Sequence, residues 1–125
     1  MVAAEAITGA LSAFFSGFDI PVYPEDFIPK NASLPYLTVL PVIPADWGQQ
    51  TAFHARLWYP SNGGKRPILK KSDEIRTALA DGKTIPCEGG AIFLRAGDPW
   101  AQSMDNPAEN YLCTYLNFEV TSYLT

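Results

Sequence analysis

Residues 110–124 read NYLCTYLNFEVTSYL, a run without proline or glycine that is rich in aromatic, aliphatic and β-branched side chains. Its even-numbered positions, from Leu112 to Leu124, are mostly apolar, whereas its odd-numbered positions, from Tyr111 to Tyr123, mix tyrosines with polar residues. Because successive side chains of a strand point to opposite faces, this pattern predicts one strand with a core face and a half-wet tyrosine face. Strands average about five or six residues, so this predicted strand is unusually long.

Upstream segments supply the partners for that strand. Strands are predicted at Leu34–Ile43, Thr51–Tyr59, Lys83–Glu88 and Gly90–Arg95, the last two joined as a hairpin through Gly89. Asp19–Pro24 contains two prolines, which cannot donate to a ladder, so it is predicted to be an edge strand or no strand. Alternation in Thr51–Tyr59 predicts a core face and an opposite face. The core face holds Phe53, Ala55, Leu57 and Tyr59; the opposite face holds His54, Arg56 and Trp58.

Two segments have helical periodicity. Apolar residues recur every three or four positions over residues 3–17, and an amphipathic pattern follows Pro67 up to Ala80. Gly17 and Gly82 are the predicted helix-ending residues, because glycine tolerates the left-handed conformation found there. The pattern as a whole predicts a single domain over residues 1–125, of the α+β class, with a mainly antiparallel sheet and two helices packed on one face.

One polar stretch stands between the last two predicted strands. Residues 97–109 contain Asp98-Pro99-Trp100 and Asp105-Asn106-Pro107, which are rich in turn formers. We expect an exposed loop here, and loops of this length are often functional.

Composition limits the classes of function. The 125 residues are 47% hydrophobic and 18% charged, which is typical of a globular chain, and the net charge is −4. Nucleic-acid binders usually carry a basic stripe, but basic residues here concentrate in the predicted second helix, so specific nucleic-acid binding is not expected. No signal peptide is evident near Met1, and no apolar run is long enough to span a bilayer, so a cytoplasmic chain is expected.

Candidate catalytic chemistry is sparse. His54, the only histidine, falls within a strand, and no nucleophile motif such as GxSxG accompanies it. Cys87 and Cys113 form no CxxC pair and are expected to be free thiols. The sequence therefore predicts no catalytic, cofactor or metal site, and no cofactor. Loop carboxylates leave one alternative open, an acid–base pair drawn from Asp98, Asp105 and Glu109.

Aromatic side chains are the more promising functional feature. Tryptophan and tyrosine are enriched at protein interfaces, and several are predicted outside the core face. The interface candidates are Trp58, Trp100, Tyr111, Tyr115 and Tyr123.

The order of elements resembles the small tail-terminator and tail-completion proteins of long-tailed bacteriophages, together with related minor capsid, head–tail joining proteins. The similarity rests on an N-terminal helix before Asp19–Tyr23 and on the strand entry Leu34-Pro35-Tyr36-Leu37-Thr38-Val39. It continues through the strand Phe53-His54-Ala55-Arg56-Leu57-Trp58-Tyr59, the helix end Ile75-Arg76-Thr77-Ala78-Leu79 and the long C-terminal strand. It extends over most of the chain.

This resemblance implies a virion structural protein, assembled in the host cytoplasm, that forms a homo-oligomeric ring, commonly a hexamer, on the tail tube. Its partners would be the tail tube protein and the head–tail connector, and it would not be an enzyme. Acidic charge would let DNA pass through the lumen without adhering. Two alternatives remain open: a small protein-binding adaptor or inhibitor that uses the same aromatic surfaces, and a small hydrolase that uses loop carboxylates with His54.

Overall fold

A computed structural model describes residues 3–40, 47–105 and 109–124. The described chain is α+β, with two helices and a six-stranded, mostly antiparallel sheet, which confirms the predicted α+β class and the mainly antiparallel sheet. Its elements are α1 (Ala3–Phe15, followed by a 3₁₀ turn, Ser16–Phe18), β1 (Val22–Pro24), β2 (Tyr36–Val39), β3 (Gln50–Pro60, followed by a 3₁₀ turn, Ser61–Gly63), α2 (Arg66–Leu79), β4 (Lys83–Cys87), β5 (Gly90–Ser103) and β6 (Tyr111–Leu124). The predicted end of the second strand, at residues 41–43, lies outside the described residues, as do residues 106–108 of the predicted loop.

The sheet is organised around β6. Its strand order is β1-β2-β3-β6-β5-β4, so β6 lies between its two longest neighbours. The β3–β6 register runs from Gln50 opposite Thr121 to Pro60 opposite Tyr111 without interruption. The pairing of β1 with β2 is parallel, and the other pairings are antiparallel. The prediction of an unusually long strand over residues 110–124 is confirmed, and β5 equals it in length at 14 residues.

Alternation along β6 divides the sheet into two faces. Leu116, Phe118 and Val120 are at most 1% exposed. Buried side chains of both helices belong to the same core cluster as these strand residues, among them Leu11 and Ile75. The Phe118 ring lies at the centre of an aromatic group, with centroids 5.3 Å from Phe15, 5.0 Å from Phe53 and 5.1 Å from Trp100.

Both helices end at positions other than the predicted glycines. α1 gives way to a 3₁₀ turn after Phe15, and the left-handed residue that follows this turn is Asp19, at φ 57°. α2 ends at Leu79, and Ala80, at φ 50°, caps it. Gly82 serves another purpose, because a Cβ there would lie 2.2 Å from the ring of Phe93. The ring of Phe93 and the positive φ of Gly82, 139°, both require a glycine at position 82, and its N–H donates to the carbonyl of Leu79 at the end of α2 at 2.8 Å.

The prediction of a long loop at residues 97–109 is wrong over its first half. β5 continues to Ser103 and pairs with β6 on both sides of an irregularity between Ala96 and Ala101. Four residues, 97–100, are therefore accommodated opposite the single position of Asn117, in the manner of a large bulge. The long neighbouring strand offers backbone partners that outweigh the local turn preference of Gly97, Asp98 and Pro99.

Proline protects both edges of the sheet. β1 is an edge strand, one of the two outcomes that the prolines of Asp19–Pro24 predict, and β4 forms the other edge. The backbone groups of Pro21 and Glu25 point toward β2: the carbonyl of Pro21 accepts from Leu37 N, and Glu25 N donates to the carbonyl of Val39. The backbone nitrogen of Pro24, which lies between them, points away from β2. Pro86 removes a donor from β4 in the same way.

Candidate functional site

The sheet surface opposite the Leu116–Phe118–Val120 core carries a group of aromatic rings, which we call the outer face. Trp58 is at its centre, with ring centroids 5.3 Å from Tyr111 and 6.5 Å from Tyr36. The indole Nε1 of Trp58 donates to Thr38 Oγ1 at 2.9 Å, and Tyr23 packs edge-on against Tyr36 at 5.6 Å. These rings are half-buried in the isolated chain. The Trp58 indole is thus held in place by its hydrogen bond, while part of each ring stays accessible.

A charged pair crosses the middle of the outer face. Arg56 Nη1 lies 2.6 Å from Glu25 Oε1, and the two side chains are only 26% and 15% exposed. The Arg56 guanidinium also lies 4.6 Å from the centre of the Tyr115 ring, which is a cation–π distance. Burial, reinforced by the negative charge of Glu25, raises the pKa of Tyr36. The pair therefore holds the loop after β1 against the centre of the sheet.

His54 lies beside this pair. Its ring stacks on Tyr115, with centroids 4.8 Å apart and planes inclined by 13°, and its Nε2 is buried without a described hydrogen-bond partner. No serine or cysteine of the described chain forms a nucleophile–histidine pair with it.

A cavity of about 340 Å³ opens next to His54, where β5 bulges away from β6. Asp98 and Glu119 contribute carboxylates to its lining, and Asn117 contributes an amide. The Nδ2 of Asn117 donates to Pro99 O at 2.9 Å and to Gln102 Oε1 at 3.2 Å, which fixes its orientation. Asp98 and Asp105, two of the three carboxylates predicted for an acid–base pair, therefore lie apart, because Asp98 lines this cavity and Asp105 does not.

Asp105 instead stabilises the start of β6. One carboxylate oxygen accepts from the backbone N of Cys113 at 3.0 Å, and the other lies 3.0 Å from Lys65 Nζ. Glu109 is exposed. These contacts give Asp105 a structural task, so the three carboxylates do not converge on one site.

The two cysteines are free and distant from each other in the sheet register. Cys87 pairs with Gly90, and Gly90 pairs with Leu124 at the end of β6. Cys113 lies opposite Trp58, near the start of β6. Burial raises the pKa of Cys113 to about 11, which leaves its thiol protonated and unreactive at neutral pH. Among the described residues, no group of three or more histidine, cysteine or carboxylate side chains is arranged to hold a metal ion. No described helix is both long and apolar enough to cross a membrane.

The five interface candidates fall in three places. Trp58, Tyr111 and Tyr115 lie together on the outer face. Tyr123 is 39% exposed near the far end of β6, where its ring packs edge-on against Trp47 at 5.2 Å. Trp100 lies within β5 rather than in a loop and contacts Phe118, so the loop placement that suggested an interface role is wrong.

Sequence reasoning missed the ion pair between Glu25 and Arg56 and the contribution of Tyr36 to the outer face. Glu25 and Arg56 are 31 positions apart, and no spacing rule links a loop carboxylate to a strand arginine at that separation. Tyr36 could have been placed, because a strict alternation through β2 puts it on the same side as Thr38.

The comparisons with known proteins inform the fold alone. No protein-family model matches the chain, and no curated protein matches it. A solved structure whose name does not describe a function is similar over 100% of both chains, with a TM-score of 0.61 and 18% identity. At that identity, the similarity supports the α+β architecture and says nothing of activity or partners.

Proposed function

We propose that this protein is a structural subunit of a long-tailed phage particle, a tail-terminator or head–tail completion protein that forms a ring on the tail tube. The observation that carries the proposal is the outer face, where Tyr36, Trp58, Tyr111 and Tyr115 supply a group of half-buried aromatic rings. Tryptophan and tyrosine in this setting are typical of protein interfaces. The resemblance in element order supplies the class of partner.

The arrangement of the helices supports the same proposal. Leu11 of α1 and Ile75 of α2 share one core with Leu116, and we infer that both helices cover one face of the sheet. The opposite face would then be free for a neighbour. Prolines at both sheet edges discourage pairing through the edges, which favours contacts made through faces.

Such a subunit would be assembled in the host cytoplasm and carried in the virion, bound to tail tube protein and head–tail connector. A ring requires two different complementary surfaces on each subunit, because heterologous contacts close by rotation. A net charge of −4 would reduce adhesion of DNA passing through its lumen.

Binding to tail tubes tests this function. Purified protein is mixed with tubes that lack their terminal protein and examined by negative-stain microscopy, with light scattering for its own state. A ring at one tube end is the expected result, and the paired variant W58A/Y115A should bind less. Failure to bind tubes at any concentration would refute the proposal, whereas a monomer in free solution would not, since such subunits can assemble on the tube.

Two outcomes would support the alternatives. A pull-down that recovers a host enzyme and no virion component would favour a binding adaptor or inhibitor. The hydrolase alternative has one observation in its favour, since His54 and Asp98 line the same cavity. Turnover of a panel of ester and phosphoester substrates that is lost in both H54A and D98A would establish it.

A further inference from the structure

Charge is segregated along this chain. The segment Lys65–Arg76 carries five basic and two acidic side chains, whereas the remainder of the chain carries four basic and eleven acidic ones. Most of this segment forms α2, so one helix is cationic and the rest of the subunit is acidic. The cationic helix of one copy is attracted to an acidic surface of a second copy, whereas two acidic surfaces repel each other.

Two cations of α2 are available for such a contact. Lys65 is paired with Asp105, Lys71 with Glu74 and the carbonyl of Phe18, and Arg76 with the carbonyl of Ala80. In the described part of the chain, Arg66 and Lys70 have no such partner, and both are exposed. They flank Leu69, which is 55% exposed, so the helix presents an apolar side chain between two positive charges.

The cavity beside His54 offers the complementary chemistry. Its charged lining is the two carboxylates of Asp98 and Glu119, with no lysine or arginine among the lining residues. Only Oε2 of Glu119 is engaged, by Gln50, and no described hydrogen bond or ion pair holds Asp98. Both amide hydrogens of Asn117 point to other acceptors, so its carbonyl oxygen remains, and His54 Nε2 is buried without a described partner.

The two carboxylates and the Asn117 carbonyl are negative charges and acceptors, and they lie beside the half-buried ring of Phe53. A guanidinium or ammonium group satisfies such a lining, because its hydrogen bonds to carboxylates are charge-assisted and a guanidinium also stacks on rings. Arg95, opposite Glu119 in the register, does not form an ion pair with it within the described residues.

We propose that the Arg66–Leu69–Lys70 surface of one copy docks into the Asp98–Glu119 cavity of a second copy. The two surfaces belong to different elements, α2 and the β3–β6–β5 surface, so the contact is heterologous and each copy keeps one surface of each kind for the next. Repetition of such a contact closes a ring when the rotation allows it. This inference rests on the proposed ring-forming function and names the surfaces that would form the ring.

Charge reversal tests the contact. D98K and the double variant R66E/K70E should each weaken self-association by about tenfold or more in sedimentation at low salt, and a mixture of the two variants should associate again. E88K makes the same charge change as D98K, and K83E makes half of the charge change of R66E/K70E; both lie at exposed positions away from the two surfaces and should leave association unchanged. Circular dichroism and thermal unfolding confirm that each variant is folded.

Cross-linking tests proximity directly. In a C87S background, A52C and L69C chains, which keep Asp98, Glu119, Arg66 and Lys70, are mixed with a short bismaleimide, both free in solution and on tail tube ends. A cross-linked dimer that requires both cysteines is expected. Absence of that dimer in both settings, or tube-end rings of D98K that form at the wild-type level, would overturn this inference while leaving the proposed function intact. Failure of the wild-type protein to bind tube ends would instead refute the proposed function.

Discussion

The two faces of β6 are made by one strand and differ in how they are stabilised. On one face, Leu116, Phe118 and Val120 are at most 1% exposed, so the stabilisation comes from buried apolar area and close packing. On the other face, Tyr115 and Asn117 are half-buried and make directed contacts, a cation–π contact with Arg56 and hydrogen bonds from the amide. The first face holds the fold, and the second retains accessible groups that can meet a partner.

The largest expected effect comes from breaking the core face. F118A should lower the free energy of unfolding by about 3–5 kcal/mol, because it leaves a cavity where three rings converge. Urea unfolding measures this loss. Y115A, on the neighbouring position of the opposite face, is the matched control and should cost about 1 kcal/mol. Equal losses at the two positions would contradict the division of the faces.

A smaller loss is expected when the charged pair of the outer face is removed. R56A should cost about 1–3 kcal/mol, since it leaves the Glu25 carboxylate half-buried without its cation and removes the contact with Tyr115. The double variant E25Q/R56A should cost less than the sum of the two single changes, because the remaining group is then neutral. Additive losses in chemical denaturation would show that the pair is not coupled.

Alkaline pH should reveal the buried thiol next to this face. The pKa of Cys113 is raised by burial from 9.0 to about 11 in the folded chain. A raised folded pKa means that its contribution is complete below about pH 9 and is lost as the pH rises toward about 11. Tyr36 and Tyr59, whose pKa values are raised mainly by burial, act in the same direction. The midpoint of thermal unfolding should fall over this range, and by less in C113A than in the wild type.

The smallest effect on stability is expected at the end of β6. Y123A removes an exposed ring whose contact is with Trp47, itself 60% exposed, so unfolding should change by at most about 0.5 kcal/mol. Association with tube ends should nevertheless weaken if the tyrosine face takes part in subunit contact. Unchanged binding, measured by co-sedimentation with tubes, would restrict the contact surface to other parts of the chain.

Local periodicity predicts much of this fold. It locates β6, β3 and α2 to within about one residue at each end, because each buries a regular stripe of side chains. It also assigns the core positions of β3, where Ala55, Leu57 and Tyr59 are buried. Where one element packs in a uniform way along its length, the pattern of the sequence and the pattern of burial coincide.

Prediction fails where a distant partner overrides local preference. Asp98 and Pro99 are turn formers, yet they lie in a bulge of β5 because β6 supplies the hydrogen-bonding partners on both sides. The local pattern consequently predicts a loop position for Trp100, although its ring packs on Phe118. The Glu25–Arg56 pair and the cavity beside His54 likewise join segments that are remote in sequence, and no local pattern encodes their meeting.

Proline at both edges of the sheet has a consequence for the life of the free chain. Fibrils grow when an exposed strand recruits another through its backbone, and Pro24 and Pro86 interrupt the donor rows that such recruitment needs. We therefore expect the purified chain to resist cross-β growth through its sheet edges at high concentration. The half-buried aromatic rings of the outer face are then a smaller aggregation hazard, because proline interrupts backbone pairing at both sheet edges.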